Sequence, residues 1–115
     1  VSGRLGLGQQ LGIDIPGERK GLIPSTAWKR ARFGQPWHPG ENLIAAIGQG
    51  YVLATPLQLA TMTARIVNGG KAVLPHLVTP AEAPQFPDMG FKPGFLDIVR
   101  RAMDAVVNEP GGTAL

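Results

Sequence analysis

A chain of 115 residues with 11 Lys and Arg against 8 Asp and Glu, a net charge of +3, holds at most one ordinary domain, and its charges form no tract that would point to nucleic acid. The absence of Cys excludes a disulfide scaffold and any Cys-based zinc or redox site, and leaves the compartment open. Sixteen Gly and eleven Pro, about twice their average usage, rule out long unbroken elements, and 43% hydrophobic residues with only 6% aromatic ones require an aliphatic core.

Residues 1–24 read as a turn and hairpin region. Glycines interrupt short apolar pairs, and Leu11, Ile13 and Ile15 alternate as in a short strand before Pro16-Gly17 turns the chain. Gly6-x-Gly8 is not a dinucleotide loop, because the next glycine is Gly12, one position too late, and no strand precedes it. The opening VSGRLGLGQQ lacks the charged head and apolar run of a signal peptide, and the chain reads as a piece of a longer polypeptide.

Residues 25–70 read as a helical core segment. Ser25 is placed to cap a short helix that runs to Phe33 and stops at Gly34. Lys29, Arg30 and Arg32 make that helix basic, and Trp28 and Trp37 flank it. One reading is a small basic binding module for an anionic polymer; the other is a solvated helix face, which three charges on one short helix favour. The 23 residues Asn42–Ala64 carry no formal charge and are long enough to cross a bilayer of about 30 Å. Gly48, Gln49, Gly50, Pro56 and Gln58 would be disruptive in lipid, so the stretch is expected to be a buried interior element. Within it, Gln49 lies between two glycines in Ile47–Tyr51. That pattern fits either a loop lining a cleft or a tight strand-to-helix connection.

Thr55 and Gln58 form a capping box with Pro56 at the first helical position, and Arg65 and Asn68-Gly69 mark the end of the same helix. The predicted helix spans 56–68. Its apolar residues, from Leu57 to Val67, occupy all sides, as in a helix enclosed by protein. So short a chain can hardly enclose it, which again points to a larger protein.

Residues 71–93 read as an extended edge and loop: Lys71–Val78 suits a strand that Pro75 demotes to an edge, and four prolines make 79–93 an exposed connection. Residues 94–109 read as an amphipathic helix. Phe95, Ile98, Val99, Ala102, Met103 and Val106 share one face, Asp97–Arg101 and Arg100–Asp104 are expected as ion pairs, and Pro110-Gly111-Gly112 ends the helix.

The residues of chemistry are sparse. His38 and His76 are far apart, so no metal site is expected. The carboxylates offer no acid and base pair, and Ser2 and Ser25, the only serines, have neither Lys three residues on nor a G-x-S-x-G turn. No catalytic residue and no cofactor is expected in this chain.

GIDIPG at Gly12–Gly17, Trp28-Lys29 with Phe33 and Trp37, IGQGY at Ile47–Tyr51, TPLQLA at Thr55–Ala60 and VVNEPGG at Val106–Gly112 resemble the transpeptidase domain of the class B penicillin-binding proteins, the elongation type above all. The resemblance covers nearly the whole chain and implies the central part of that domain. It implies a mainly helical α+β fold, here a partial penicillin-binding fold lacking the nucleophile helix and the K-T-G strand. The family acylates a serine with the D-Ala-D-Ala end of a peptidoglycan stem peptide and passes the acyl group to an amine; β-lactams trap the intermediate. Its S-x-x-K, S-x-N and K-T-G motifs are absent from this sequence. The first two are expected before Val1 and the third after Leu115, so the chain alone is expected to be catalytically silent.

The resemblance also implies that Gln49, Gly50 and Tyr51 line the floor of the substrate cleft. For the parent protein it implies stem peptides and β-lactams as ligands, cell-wall elongation partners for which Thr79–Pro93 is a possible contact, and a location on the periplasmic side of the bacterial inner membrane. Neither nucleic acid nor a membrane segment in this chain is implied.

Overall fold

The computed structural model describes residues 1–114 and contains four helices: α1 (Thr26–Phe33), α2 (Pro39–Ala46), α3 (Pro56–Val67) and α4 (Pro93–Asn108). No strand occurs among the described residues. Two isolated antiparallel bridges, Leu22 with Leu53 and Lys71 with Asp88, are the only sheet-like pairings found there. No helix among the described residues is long and apolar enough to cross a membrane.

The helix ends follow local chemistry. Ser25 Oγ accepts the Trp28 N–H at 3.1 Å and starts α1, and Gly34 ends it in the left-handed region at φ 66°. Thr55 and Gln58 close a reciprocal capping box at the start of α3, with bonds of 3.1 and 3.0 Å. At its far end the Gly70 N–H returns to the Arg65 carbonyl through Gly69 at φ 85°. Helix α2 is absent from the periodicity reading because it is only eight residues long. Its local signs are Pro39 at the first position and Glu41, whose carboxylate takes the His38 N–H at 2.7 Å.

The strand and hairpin expectations fail for a common reason: side-chain carboxylates take the backbone donors that ladders need. Glu18 receives the N–H groups of Leu11 and Gly12, and Asp14 receives those of Leu77 at 2.7 Å and Val78 at 2.8 Å. Residues 71–78 consequently pair only at their start, where the Ala72 N–H reaches the Pro87 carbonyl at 2.9 Å.

The core is small and partly polar. Leu11, Ile66 and Leu96 are its buried apolar side chains, and Lys29, Gln58, Thr61 and Arg65 are buried polar or charged ones. Gln58, fully buried, donates through Nε2 to the carbonyls of Gln9 (2.7 Å) and Lys20 (2.9 Å), which ties the N-terminal turns to α3. Arg65 meets no carboxylate; its guanidinium donates to the carbonyls of Val73 (3.0 Å) and Arg4 (2.8 Å), and burial pushes its pKa below the ordinary value. Gly21 must be glycine: its φ is 61°, and a Cβ there would lie 2.3 Å from the Leu53 carbonyl oxygen and 2.9 Å from Gln58 Oε1.

Helix α3 is not enclosed by this chain, as so short a chain implies: Leu59 and Val67 are 46% and 54% exposed. Two sequence expectations change here. The Asn42–Ala64 stretch is not interior either, since Leu43 and Ile47 are 74% and 71% exposed. Helix α4 docks on α3 through Leu96, Arg100 and Met103, about 100° around the helix from the centre of the predicted apolar face. Phe95, Ile98 and Val106 therefore face water. Arg100 bonds the Val67 carbonyl at 3.2 Å and pairs with Asp97, while Asp104 accepts from Asn108 at 2.6 Å, so neither expected i,i+4 ion pair forms.

The radius of gyration, 16.4 Å, exceeds the ~13 Å expected for a compact chain of this length. The accessible surface, 8246 Å², exceeds the ~6,000 Å² of a compact monomer of this mass. Both excesses mark a chain packed more loosely than a compact monomer, and apolar helix faces lie among its exposed surface.

Candidate functional site

The sequence from Trp28 to Tyr51 builds one local structure around a buried ion pair. Lys29 points inward from α1 and is 3% exposed, which corrects its reading as part of a solvated basic face. Its Nζ lies 2.6 Å from Glu41 Oε2 at the start of α2. The same oxygen accepts the His38 N–H, so one carboxylate both caps α2 and joins it to α1. The His38 N–H first, and then Lys29, hold the Glu41 carboxyl below its ordinary value. A depressed carboxylate contributes stability above its unfolded pKa and loses it as pH falls through the folded one, so this junction weakens only in acid. With Lys29 engaged, Arg30 and Arg32 remain as the exposed cations of α1, a narrower basic surface than the five-residue cluster expected for an anionic polymer.

Helix α2 ends in a Schellman motif that sets the course of the IGQGY segment. The Gly48 N–H bonds the Ala45 carbonyl at 3.1 Å, and the Gln49 N–H bonds that of Ile44 at 3.0 Å, with Gly48 left-handed at φ 74°. The segment is thus a helix exit, not the strand-to-helix connection considered from sequence. Gly50, also left-handed at φ 70°, lies so close to α2 that a Cβ would fall 3.0 Å from Ile44 Cγ2. Tyr51 then joins Trp28 and Phe33 in a three-ring cluster with centroid separations of 5.2 to 5.7 Å, the spacing at which aromatic rings attract edge to face or tilted.

Between these parts lies a hollow of about 230 Å³ lined by Trp37, Glu41, Ile44, Gln49, Gly50 and Tyr51, among others. The structure brings together the three residues singled out from sequence, Gln49, Gly50 and Tyr51, and adds Trp37 and Glu41 to them. Trp37 is fixed by its Nε1–H, which donates to Asn42 Oδ1 at 2.9 Å. The sequence held one sign of Glu41's role: it is the sole carboxylate between Glu18 and Glu82, across a stretch with three cations on one helix. Ser25 Oγ is taken up as the cap of α1.

The sequence profile of the penicillin binding protein transpeptidase domain matches residues 1–115. The chain belongs to this family. It is 35% identical over 122 aligned residues to the peptidoglycan D,D-transpeptidase MrdA of Escherichia coli strain K12, covering 97% of this chain and 19% of that protein. It is 39% identical to MrdA of Haemophilus influenzae, over 94% of this chain and 18% of that protein. The chain spans about a fifth of the length of these curated relatives. Among solved structures, Pseudomonas aeruginosa PBP2 in complex with WCK 5153 is 43% identical with a TM-score of 0.85, over 98% of this chain and 27% of that one. Helicobacter pylori PBP2 in its complex with MreC is 40% identical with a TM-score of 0.87, over 96% and 21%. The four helices are accordingly a mainly helical piece of a penicillin-binding transpeptidase fold.

Proposed function

We propose that this chain is the supporting part of a peptidoglycan D,D-transpeptidase, which crosslinks stem peptides by serine acyl transfer and is trapped by β-lactams. The observation that carries the reading is the match along all 115 residues, together with relatives at 35% and 39% identity whose names state that activity. In this reading the nucleophile, its lysine base and the K-T-G edge belong to parts of the parent protein outside this sequence, which contains none of the three motifs. This chain holds the helices those groups pack against, and its own residues do no chemistry. Gln49, Gly50 and Tyr51 shape the cleft, a role supported by the hollow they line. The parent acts on the periplasmic side of the inner membrane beside elongation partners, as the family resemblance implies; a related protein, H. pylori PBP2, forms a complex with MreC.

Fluorescent penicillin tests the proposal on a denaturing gel. The full-length protein that contains this sequence is expected to carry a covalent label, and residues 1–115 alone to carry none. A labelled isolated chain overturns the fragment's silence, and an unlabelled, folded full-length protein overturns the transpeptidase reading. In the same assay Gln49→Ala is expected to slow acylation severalfold; an unchanged rate removes Gln49 from the cleft.

A further inference from the structure

The hollow beside IGQGY has polar atoms left over. Glu41 takes both of its partners, the Lys29 ammonium and the His38 N–H, on Oε2, so Oε1 remains an acceptor with no hydrogen bond among the described residues. The Gln49 amide and the Tyr51 hydroxyl likewise have no side-chain hydrogen-bond partner there. Gln49 and Tyr51 are exposed residues, so their unengaged groups meet solvent. The remaining wall is apolar or aromatic, with Trp37 and Ile44 prominent.

The electrostatics narrow the ligand class. Glu41 is the only charged residue lining the hollow, and Lys29 neutralises it at 2.6 Å. Neither a cation nor an anion finds a net opposite charge. An acceptor oxygen, an amide and a hydroxyl beside aromatic rings instead complement a neutral ligand that has hydroxyl groups at its edge and C–H bonds on its face. The volume, about 230 Å³, is below the ~300 Å³ at which pockets for drug-sized ligands begin, and suits one ring rather than a chain. The narrow floor is fixed by Gly50 against Ile44.

We propose that this hollow binds one amino-sugar ring of a glycan strand, with Trp37 against the ring's C–H face and Glu41 Oε1, Gln49 and Tyr51 taking its hydroxyl and acetamido groups. The inference rests on the transpeptidase reading, which supplies a glycan as the natural ligand. It adds a binding site on the parent for the strand that bears the stem peptide.

The test is titration of the full-length protein with chitotetraose, followed by tryptophan fluorescence and calorimetry. Saturable binding is expected, and maltotetraose is expected to bind about tenfold more weakly or not at all, since it lacks the acetamido groups. Trp37→Ala is expected to weaken binding about tenfold, as loss of one aromatic contact does, and Trp37→Phe to recover most of it. Circular dichroism melting checks that the variants fold; should Trp37→Ala fail to fold, Gln49→Ala, on an exposed side chain, takes its place with a severalfold loss expected. No saturable binding, equal affinity in native and variant proteins, or full displacement by an arginine-rich peptide overturns the inference. Penicillin labelling separates the two readings: a protein that is acylated but binds no glycan loses only the hollow's role.

Discussion

Gln58 illustrates how one side chain decides the local fold. Its amide caps its own helix through the Thr55 N–H and binds two carbonyls 38 and 49 residues away in sequence. Gln58→Leu preserves the volume but leaves those groups without partners, and unsatisfied polar groups in part-buried sites cost about 1–3 kcal/mol each. A loss of about 2–4 kcal/mol is expected in urea unfolding, against less than about 0.5 kcal/mol for Gln85→Ala on the exposed loop. The capping box was legible in sequence because it is local, four residues from Thr55 to Gln58. The bonds to Gln9 and Lys20 were not, because no periodicity relates an amide to carbonyls that only folding brings near.

At the scale of elements, the largest difference between expectation and structure is the missing sheet. Alternation at Leu11, Ile13 and Ile15 and the apolar run at 71–78 satisfy the sequence signs of strands, yet Asp14 crosses between the two segments and takes the N–H groups of Leu77 and Val78. Those two bonds hold the Asp14 carboxyl below its ordinary 3.8, the Val78 bond contributing most. A depressed carboxylate stabilises above its unfolded pKa and stops doing so as pH falls through its folded one. The contact should therefore be intact at neutral pH and fail only below 3.8. Asp14→Asn is expected to lower hydrogen-exchange protection of the Leu77 and Val78 amides at neutral pH, with the difference from native vanishing in stronger acid. Equal protection at pH 7 would mean that the clamp does not hold these segments together. Helix α2 differs in another way: Pro39, Glu41 and the Gly48 exit were all visible, but eight residues are too few for a helical period to stand out.

Across the whole molecule, the surface excess and the large radius of gyration describe a body whose apolar faces lack covers. The open face of α4, with Phe95 63% and Ile98 58% exposed, adjoins an apolar hollow of about 300 Å³ lined by Leu5, Ile66, Phe91 and neighbouring residues. Patches of this kind drive association. The isolated chain is expected to self-associate with rising concentration in sedimentation velocity, and Ile98→Glu to reduce that association while changing monomer stability by less than about 0.5 kcal/mol. In the full-length protein the same substitution is expected to destabilise, because the proposed reading gives that face a neighbour there. Equal effects in the two contexts would show that α4 is as open in the parent as here.

Short-range chemistry was settled by the sequence itself: two helix starts at Ser25 and Thr55, the glycine stops, and the motifs that mark the family. These depend on atoms within a few residues of one another, where steric and hydrogen-bond rules leave few alternatives. Tertiary structure alone decided that Lys29 turns inward to Glu41, that Gln58 and Arg65 form a polar core, that carboxylates replace strand ladders, and that α4 docks by the edge of its apolar stripe. Those outcomes depend on which distant groups compete for the same donors and the same buried space, and a linear pattern does not record that competition.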